Sequence, residues 1–202
     1  SNWASTLGVR SYPSAIVSGL VPETMNFCSH CGSAVDLQIP EGDHLPRHIC
    51  GDCGVIHYQN PKMVAGCIPE WQDRILLCRR AIKPRYGLWT IPAGFMENGE
   101  TLEQAAKRET DEEACAKGEI AGLYALYNLP HVNQVYVIFR GQLVDGSFAP
   151  GLESLETELF EKSEIPWHEI AFPVVTRALE RYFDDRLGQK YTPFIDTIAP
   201  RH

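Results

Sequence analysis

The sequence predicts a fold of the α/β (α+β) class, a mixed sheet with packed helices, preceded by a small cysteine-held module. Three observations carry that prediction. Apolar runs of strand length alternate with two segments of helical period between residues 62 and 187. Several neighbouring runs are joined by turns short enough for hairpins, which makes the sheet mixed rather than wholly parallel. Four of the seven cysteines fall as two C-x-x-C pairs within residues 27–58, a stretch with little material for an apolar core.

The elements follow in chain order. Residues 1–24 hold one Arg and one Glu, show no clear period and lack the basic start and apolar run of a signal peptide. They read as an N-terminal extension, loose or not native, with Met25 as the natural start; the alternative is an ordered arm. Residues 25–60 form the small module and 61–202 the main domain. Within it, "MVAGCI" (63–68) and "RILLC" (74–78) read as strands joined by a short turn, and "GLWTIPAG" (87–94) as a short strand entering a glycine-containing loop. Residues 101–116 read as a helix. "IAGLYALYNL" (120–129) and "QVYVIFRGQLV" (134–144) pair across the turn "PHVN", and "ETELF" (156–160) is a further strand. Residues 171–187 form an amphipathic helix, with Gly188 placed to cap it.

Composition narrows the function. Asp and Glu outnumber Lys and Arg 26 to 18, a net charge of −8, which argues against nucleic acid as a general partner because strand binding leans on cationic side chains. A small phosphorylated ligand stays open, since a divalent metal can supply positive charge. No stretch approaches the ~20 apolar residues of a membrane span, so no membrane partner is expected.

Cys28-x-x-Cys31 and Cys50-x-x-Cys53 lie eighteen residues apart, the spacing of a zinc ribbon. Four thiolates make a closed tetrahedral shell, so the Zn²⁺ would be structural. Two disulfides or a metal-free ribbon are the alternatives. His30, His48 and His57 lie nearby but are surplus to a complete shell. Cys67, Cys78 and Cys115 stand alone, and an odd count of isolated thiols suits a reducing, cytoplasmic setting.

The first helix poses the chemical question. Thr101 followed by Gln104 is a capping-box pattern that sets its start. At 100° per residue, Leu102, Ala105, Ala106, Glu109, Glu112, Glu113 and Ala116 share one stripe. Carboxylates at the edge of a core are costly to desolvate without partners. Arg108 can neutralise one; the rest form an oxygen-only donor set suited to Mg²⁺ or Mn²⁺. A solvated acidic helix end paired with Arg108 is the competing reading.

Gly94, five residues, Glu100, seven residues, then Arg108, Glu109, Glu112 and Glu113: this spacing resembles the Nudix box, G-x5-E-x7-R-E-U-x-E-E-x-G-U, where U is a bulky apolar residue. Thr110 and Cys115 depart from it, standing where an aliphatic residue and a glycine are usual, and Ala116 is small for its slot. "GLWTIPAG" resembles the family's lead-in, and "ESLETELFEKSEIPW" (153–167) its late strand and turn. The resemblance spans roughly residues 62–187 and implies a Nudix α/β/α sandwich that hydrolyses a nucleoside diphosphate linked to another group. It also implies that Glu109, Glu112 and Glu113 hold the catalytic metal, Arg108 braces them, and Gly94 and Glu100 shape the loop, with the Ala93 carbonyl a further oxygen for the metal.

Family enzymes often add a carboxylate from outside the box, as base or further ligand. Glu156 is the first candidate here, then Glu153, with Glu97 weaker. Arg79 and Arg80 follow a strand and are candidates to bind substrate phosphate. Trp89, Tyr127 and Tyr136 offer rings for a base but also suit a core, and His131 sits in a turn where a substrate loop would lie.

A ribbon before such a domain occurs in NADH pyrophosphatases, but their S-Q-P-W-P-F-P-type motif is absent from "GLYALYNLPHVNQVYVIF". "YQNPKMVAGCI" with "FAPGLESLE" (148–156) more closely resembles the ADP-ribose/FAD pyrophosphatase group. The expectation is therefore a metal-dependent pyrophosphatase releasing AMP from ADP-ribose or FAD. An NAD(H) pyrophosphatase or nucleotide-cap hydrolase is one alternative, and a non-catalytic nucleotide- or RNA-binding module another. A small-molecule nucleotide is the expected partner, and the resemblance admits a homodimer.

Overall fold

The computed structural model describes residues 25–188 and 190–199; the expectations for residues 1–24 lie outside them. The chain divides into two compact units at Gln59/Asn60. The first contains β1 (Val35–Gln38), β2 (Arg47–Cys50) and β3 (Ile56–His57), an antiparallel three-stranded sheet in that order. Sequence reading found none of these strands, because two to four residues of mostly polar chain show no period. Gly32 and Gly54, at φ 79° and 73°, each follow a C-x-x-C pair. Their N–H groups close the two knuckles onto the Cys28 and Cys50 carbonyls at 2.9 and 3.0 Å.

The second unit is an α/β/α sandwich. Its strands are β4 (Lys62–Trp71), β5 (Arg74–Arg80), β6 (Trp89–Thr90), β7 (Ala93–Phe95), β8 (Gly118–Leu129), β9 (Gln134–Leu143), β10 (Ser154–Phe160) and β11 (Phe194–Thr197). The main path runs β10-β5-β4-β9-β8-β11. β4 pairs in parallel with β9 over nine positions, from Lys62 opposite Gln134 to Glu70 opposite Gln142. Strands buried on both faces read as near-continuous apolar runs. In β4, accordingly, Val64 and Ile68 face one helix and Ala65 and Cys67 the other.

β4 and β5 form an antiparallel hairpin bonded only at Glu70–Trp71 and Arg74–Ile75. Beyond that they part: β7 takes the free edge of β4 at Val64–Gly66, and β6 takes that of β5 at Cys78–Arg79. The sheet opens here, and the chain between β5 and α1 (Leu102–Ala114) threads the opening.

Helix α1 covers one face. Its small Ala105 and Ala106, fully buried, meet Ala65, Cys67, Val137 and Phe139. The expected capping box is present, with Thr101 Oγ1 accepting from Gln104 N at 3.2 Å and Gln104 Oε1 accepting from Thr101 N at 2.7 Å. The helix stops two residues earlier than expected. Cys115 occupies the left-handed region at φ 44°, and its N–H reaches Asp111 O at 2.8 Å. The conformation explains why the motif usually carries glycine here. Thr110, where an aliphatic residue is usual, is buried and turns its hydroxyl back to Ala106 O at 2.8 Å, which satisfies the one polar atom it adds.

Helix α2 (Pro173–Leu187) covers the other face through Val174, Val175, Ala178, Leu179 and Tyr182. Gly188 caps it as expected, but in a right-handed conformation. β11, which pairs in parallel with β8, is a strand that sequence reading missed, four residues with only alternate partial burial. The turn "PHVN" is a short 3-10 helix, Pro130–Val132.

A non-glycine residue in the left-handed region costs about 1–2 kcal/mol, partly offset in a glycine variant by its greater unfolded-state freedom. Cys115 is exposed and has no packing to lose. Cys115→Gly is therefore expected to raise Tm by roughly 1–4 °C in a thermal melt, and an unchanged or lower Tm would show that the cap carries no strain.

Candidate functional site

The carboxylates of α1 and the loop before it converge on Arg108. Its Nε and Nη2 donate to the two oxygens of Glu100 at 3.0 and 2.8 Å. Its Nη1 donates to Glu109 Oε1 at 2.7 Å and Glu112 Oε2 at 2.9 Å, and Nη2 also reaches Phe95 O at 3.1 Å. A guanidinium has five N–H groups, and here all five are used. Sequence reading assigned Arg108 one carboxylate to neutralise; it pairs with three. The Arg108 hydrogen bond, followed by the Glu97 N–H, pulls Glu100 down to about 2.

Glu109 and Glu113 are buried, whereas Glu112 lies on the exposed flank, where the stripe drawn from periodicity did not put it. Glu113 accepts the Ala93 N–H at 3.2 Å. Burial, then the charge of Glu109, pushes Glu113 up to about 8; burial also raises Glu109, against the pull of Arg108. Gly94 faces the Glu109 carboxylate so closely that a Cβ would stand 2.3 Å from Oε1. The glycine is there for space.

The carboxylates from outside the helix separate. Glu156 lies opposite Arg79 on β5, and Arg79 Nη1 donates to its Oε2 at 3.3 Å. Glu153 instead lies close enough to Glu109 and Glu113 for its charge to raise both. Its position comes from a contact that sequence reading missed. The segment before β10 docks on the C-terminal end of α1, where Ala149 N and Gly151 N donate to the Ala114 and Glu113 carbonyls at 2.9 and 3.0 Å. These bonds satisfy helix-end carbonyls that would otherwise lack partners. The only sequence signal is Gly151, whose Cβ would fall 1.7 Å from Glu112 O. Glu97 is exposed on the loop.

The two arginines also part. Arg79 is held by Gly87 O at 2.9 Å and by Glu156. Arg80 is buried, lies 5.1 Å over the Phe172 ring, donates Nε to Pro84 O at 3.0 Å, and lowers Glu113 by its charge. It makes no ion pair among the described residues. Trp89 and Tyr127 are core, in edge contact with Phe160 and Phe194, so neither offers a stacking face. Tyr136 is buried within reach of the charges of Arg80 and Glu113. His131 is exposed in the 3-10 turn.

In the first unit the four cysteines are free thiols, with Cys28 and Cys53 Sγ 3.6 Å apart and Cys31 and Cys50 Sγ 3.4 Å apart. All four sulfurs lie within 4.8 Å of one another. Sulfurs around a tetrahedral zinc at 2.3 Å stand about 3.8 Å apart, so the cluster fits that ion. The His30 N–H and His57 Nε2 lie 3.4 Å from Cys28 Sγ, as partners to a ligand rather than ligands. Among the described residues this is the only group of three or more ligand atoms so gathered. The α1 carboxylates are spread around Arg108 instead.

Comparison with known proteins agrees with this geometry. The NUDIX domain family matches residues 60–184, and the family described as Nudix N-terminal, a zinc ribbon, matches residues 26–59. An ADP-ribose pyrophosphatase of Methanocaldococcus jannaschii is 30% identical over 115 residues, which are 54% of this chain and 67% of that protein. A protein of Photobacterium profundum named NAD-capped RNA hydrolase NudC is 30% identical over 149 residues, 71% of this chain but 52% of its own length. The chain thus spans about half of that relative. A crystal structure of a NUDIX hydrolase from Nitrosomonas europaea is 57% identical, covers 86% of this chain and 99% of its own, and superposes with a TM-score of 0.84.

Arg108 and Glu100 generate a pH-dependent expectation. The folded pKa of Glu100, about 2, lies below the ordinary value of 4.5. Its contribution to stability is therefore present above about 4.5 and lost as pH falls toward 2. Arg108→Gln removes it, so in urea unfolding the stability gap from wild type should be widest near neutral pH and narrow below about 4.5. A gap independent of pH would dissociate the two residues.

Proposed function

This chain belongs to the NUDIX family, and from that membership we propose a metal-dependent pyrophosphatase that cleaves ADP-ribose or FAD and releases AMP. The observation that carries the proposal is that Glu109 and Glu112 share Arg108 while Glu113 lies within charge reach of Glu109 and of a buried Arg80 that makes no ion pair among the described residues. A fold that only bound nucleotides need not assemble such an acidic cluster.

Glu109, Glu112 and Glu113 would hold Mg²⁺ or Mn²⁺, an oxygen donor set that suits hard cations. Bound there, the ion offsets diphosphate charge and lowers the pKa of a water. The rest is done by the chain. Arg108 keeps the carboxylates apart and aimed while Glu100 anchors Arg108 to the loop. Arg80, whose Nε is held by Pro84 O, would offer its remaining N–H groups to a phosphate oxygen. Glu153 stands beside the cluster, where it would take the proton of the attacking water. This reverses the order expected from sequence, since Glu156 is engaged with Arg79. The cysteine cluster would hold a structural Zn²⁺ in a ribbon spanning residues 25–60, ahead of a catalytic domain over 61–202, and its free thiols fit the reducing cytoplasm. No helix among the described residues is long and apolar enough to cross a membrane.

The Methanocaldococcus relative, named an ADP-ribose pyrophosphatase, supports the substrate. A second reading, hydrolysis of NAD(H) or of nucleotide-capped RNA, is favoured by the longer match to the Photobacterium protein.

Chromatography of products from ADP-ribose, FAD, NADH and NAD⁺ should show AMP release that needs Mg²⁺ or Mn²⁺ and stops with chelator, fastest from ADP-ribose or FAD. A preference for NADH would move the protein to the second reading. In the same assay Glu112→Gln and Glu153→Gln should each lose about a hundredfold or more in kcat, while Glu156→Gln stays near wild type. Full turnover by Glu112→Gln would remove the metal role, and a larger loss for Glu156→Gln would restore it as the first candidate.

A further inference from the structure

Among the described residues, the stretch 80–85 is basic against an acidic whole. Most arginines and lysines among the described residues sit in ion pairs with carboxylates. Arg80, Lys83 and Arg85, like the separate Lys117 and Lys190, make none among the described residues, and these three fall together in the six residues 80–85. Lys83, Arg85 and the next residue, Tyr86, are exposed, Tyr86 at 61%.

This loop is built rather than slack. Arg80 N donates to Leu88 O at 2.9 Å and Gly87 N to Arg80 O at 2.8 Å, closing its base. Arg80 Nε holds Pro84 O from inside. Arg85 takes the left-handed region at φ 66°, a conformation that costs free energy for a residue with a side chain. The base of the loop borders the carboxylate site twice over. The charge of Arg80 reaches Glu113, and Ala81 N donates to the carbonyl of Glu153 at 2.8 Å.

We propose that the 82–86 loop is a subsite for a phosphate carried on a ribose outside the scissile diphosphate, with Lys83 and Arg85 supplying charge and Tyr86 a stacking face for the neighbouring base. Two cations without partners among the described residues, on a loop whose base borders the carboxylate site, attract further negative charge that the net charge of the protein would otherwise repel. An exposed ring beside them is the pairing by which single nucleotides are held without a duplex. The shared chemistry has two sources: a dinucleotide with an extra ribose phosphate, or the first phosphodiester of an oligoribonucleotide joined to the dinucleotide. The inference rests on the pyrophosphatase reading for the position of the diphosphate.

The test compares wild type with Lys83→Gln/Arg85→Gln, and separately Tyr86→Ala. These side chains are exposed and, in the two cations, break no ion pair. kcat/KM is measured for ADP-ribose, NADH, NADPH, which carries one ribose phosphate more than NADH, and a short NAD-capped oligoribonucleotide. The double variant should leave ADP-ribose and NADH within about twofold and lower NADPH, the capped strand or both by about tenfold, mainly through KM and less so as salt rises. Loss on NADPH alone assigns the subsite to small dinucleotides; loss on the strand assigns it to RNA ends. No selective loss on either overturns the proposal, as does an equal loss on all four. If wild type cleaves none of them, the pyrophosphatase reading fails by itself. Fluorescence anisotropy with a labelled 5′-phosphorylated oligoribonucleotide then decides: a tenfold weaker Kd in the double variant upholds the loop as a phosphate site, and equal Kd values overturn it.

Discussion

The catalytic half of this protein hangs on one guanidinium. Glu100, Glu109 and Glu112 bring three negative charges to the edge of the core, and unpaired charge there costs several kcal/mol per ion. Arg108 meets all three with a planar fork whose five N–H groups are each engaged. A lysine could offset the charge but not the geometry, since it lacks the fixed fork. Because Arg108 also holds the Phe95 carbonyl, the same group that tolerates the acids fastens the loop to the helix.

The second constraint is topological. β4 leaves β5 after two residue pairs and takes β7 as its new partner on that edge, while β9 pairs along the other. A sheet that stayed closed would have no room for Gly94 to lie against Glu109, nor for the Ala93 N–H to reach Glu113. On the opposite side of the opening, β10 and the segment before it bring Glu153, while β5 brings Arg80. The cluster is thus assembled from four separate stretches of chain, of which only α1 and its loop are contiguous.

That division decides what could be read from the sequence. Much of α1 and its loop was legible, because helical period and fixed spacing act over neighbouring residues: Thr101 and Gln104 for the cap, Gly94 for the close approach, Arg108 as a partner for the acids, though not for three of them. The exposed place of Glu112 was not, since a 100° projection cannot say where the sheet ends. Glu153 and Glu156 are three residues apart, and choosing between them needs the bulge between Ser154 and Glu156 and the bonds of Ala149 and Gly151 to the helix. Arg79 and Arg80 alternate along β5, so one faces Glu156 and the other the core; alternation was visible, the facing partner was not. The three short strands of the ribbon and β11 left no periodic trace, although the cysteine spacing announced the thiol cluster.

The parallel pairing of β4 with β9 has a consequence for biosynthesis. The central strand is completed by residues 134–143, on the far side of the catalytic helix in the chain. A nascent chain that has only reached the end of α1 already carries every carboxylate of the motif and the β4 side of its packing, yet lacks Val137 and Phe139 of β9, which complete the cover of Ala105 and Ala106, and the segment that carries Glu153. Closing a loop of that span is slow relative to forming the helix. The helix and its acids therefore emerge ahead of a strand they pack against, and the central sheet can close only once residues 134–143 are available.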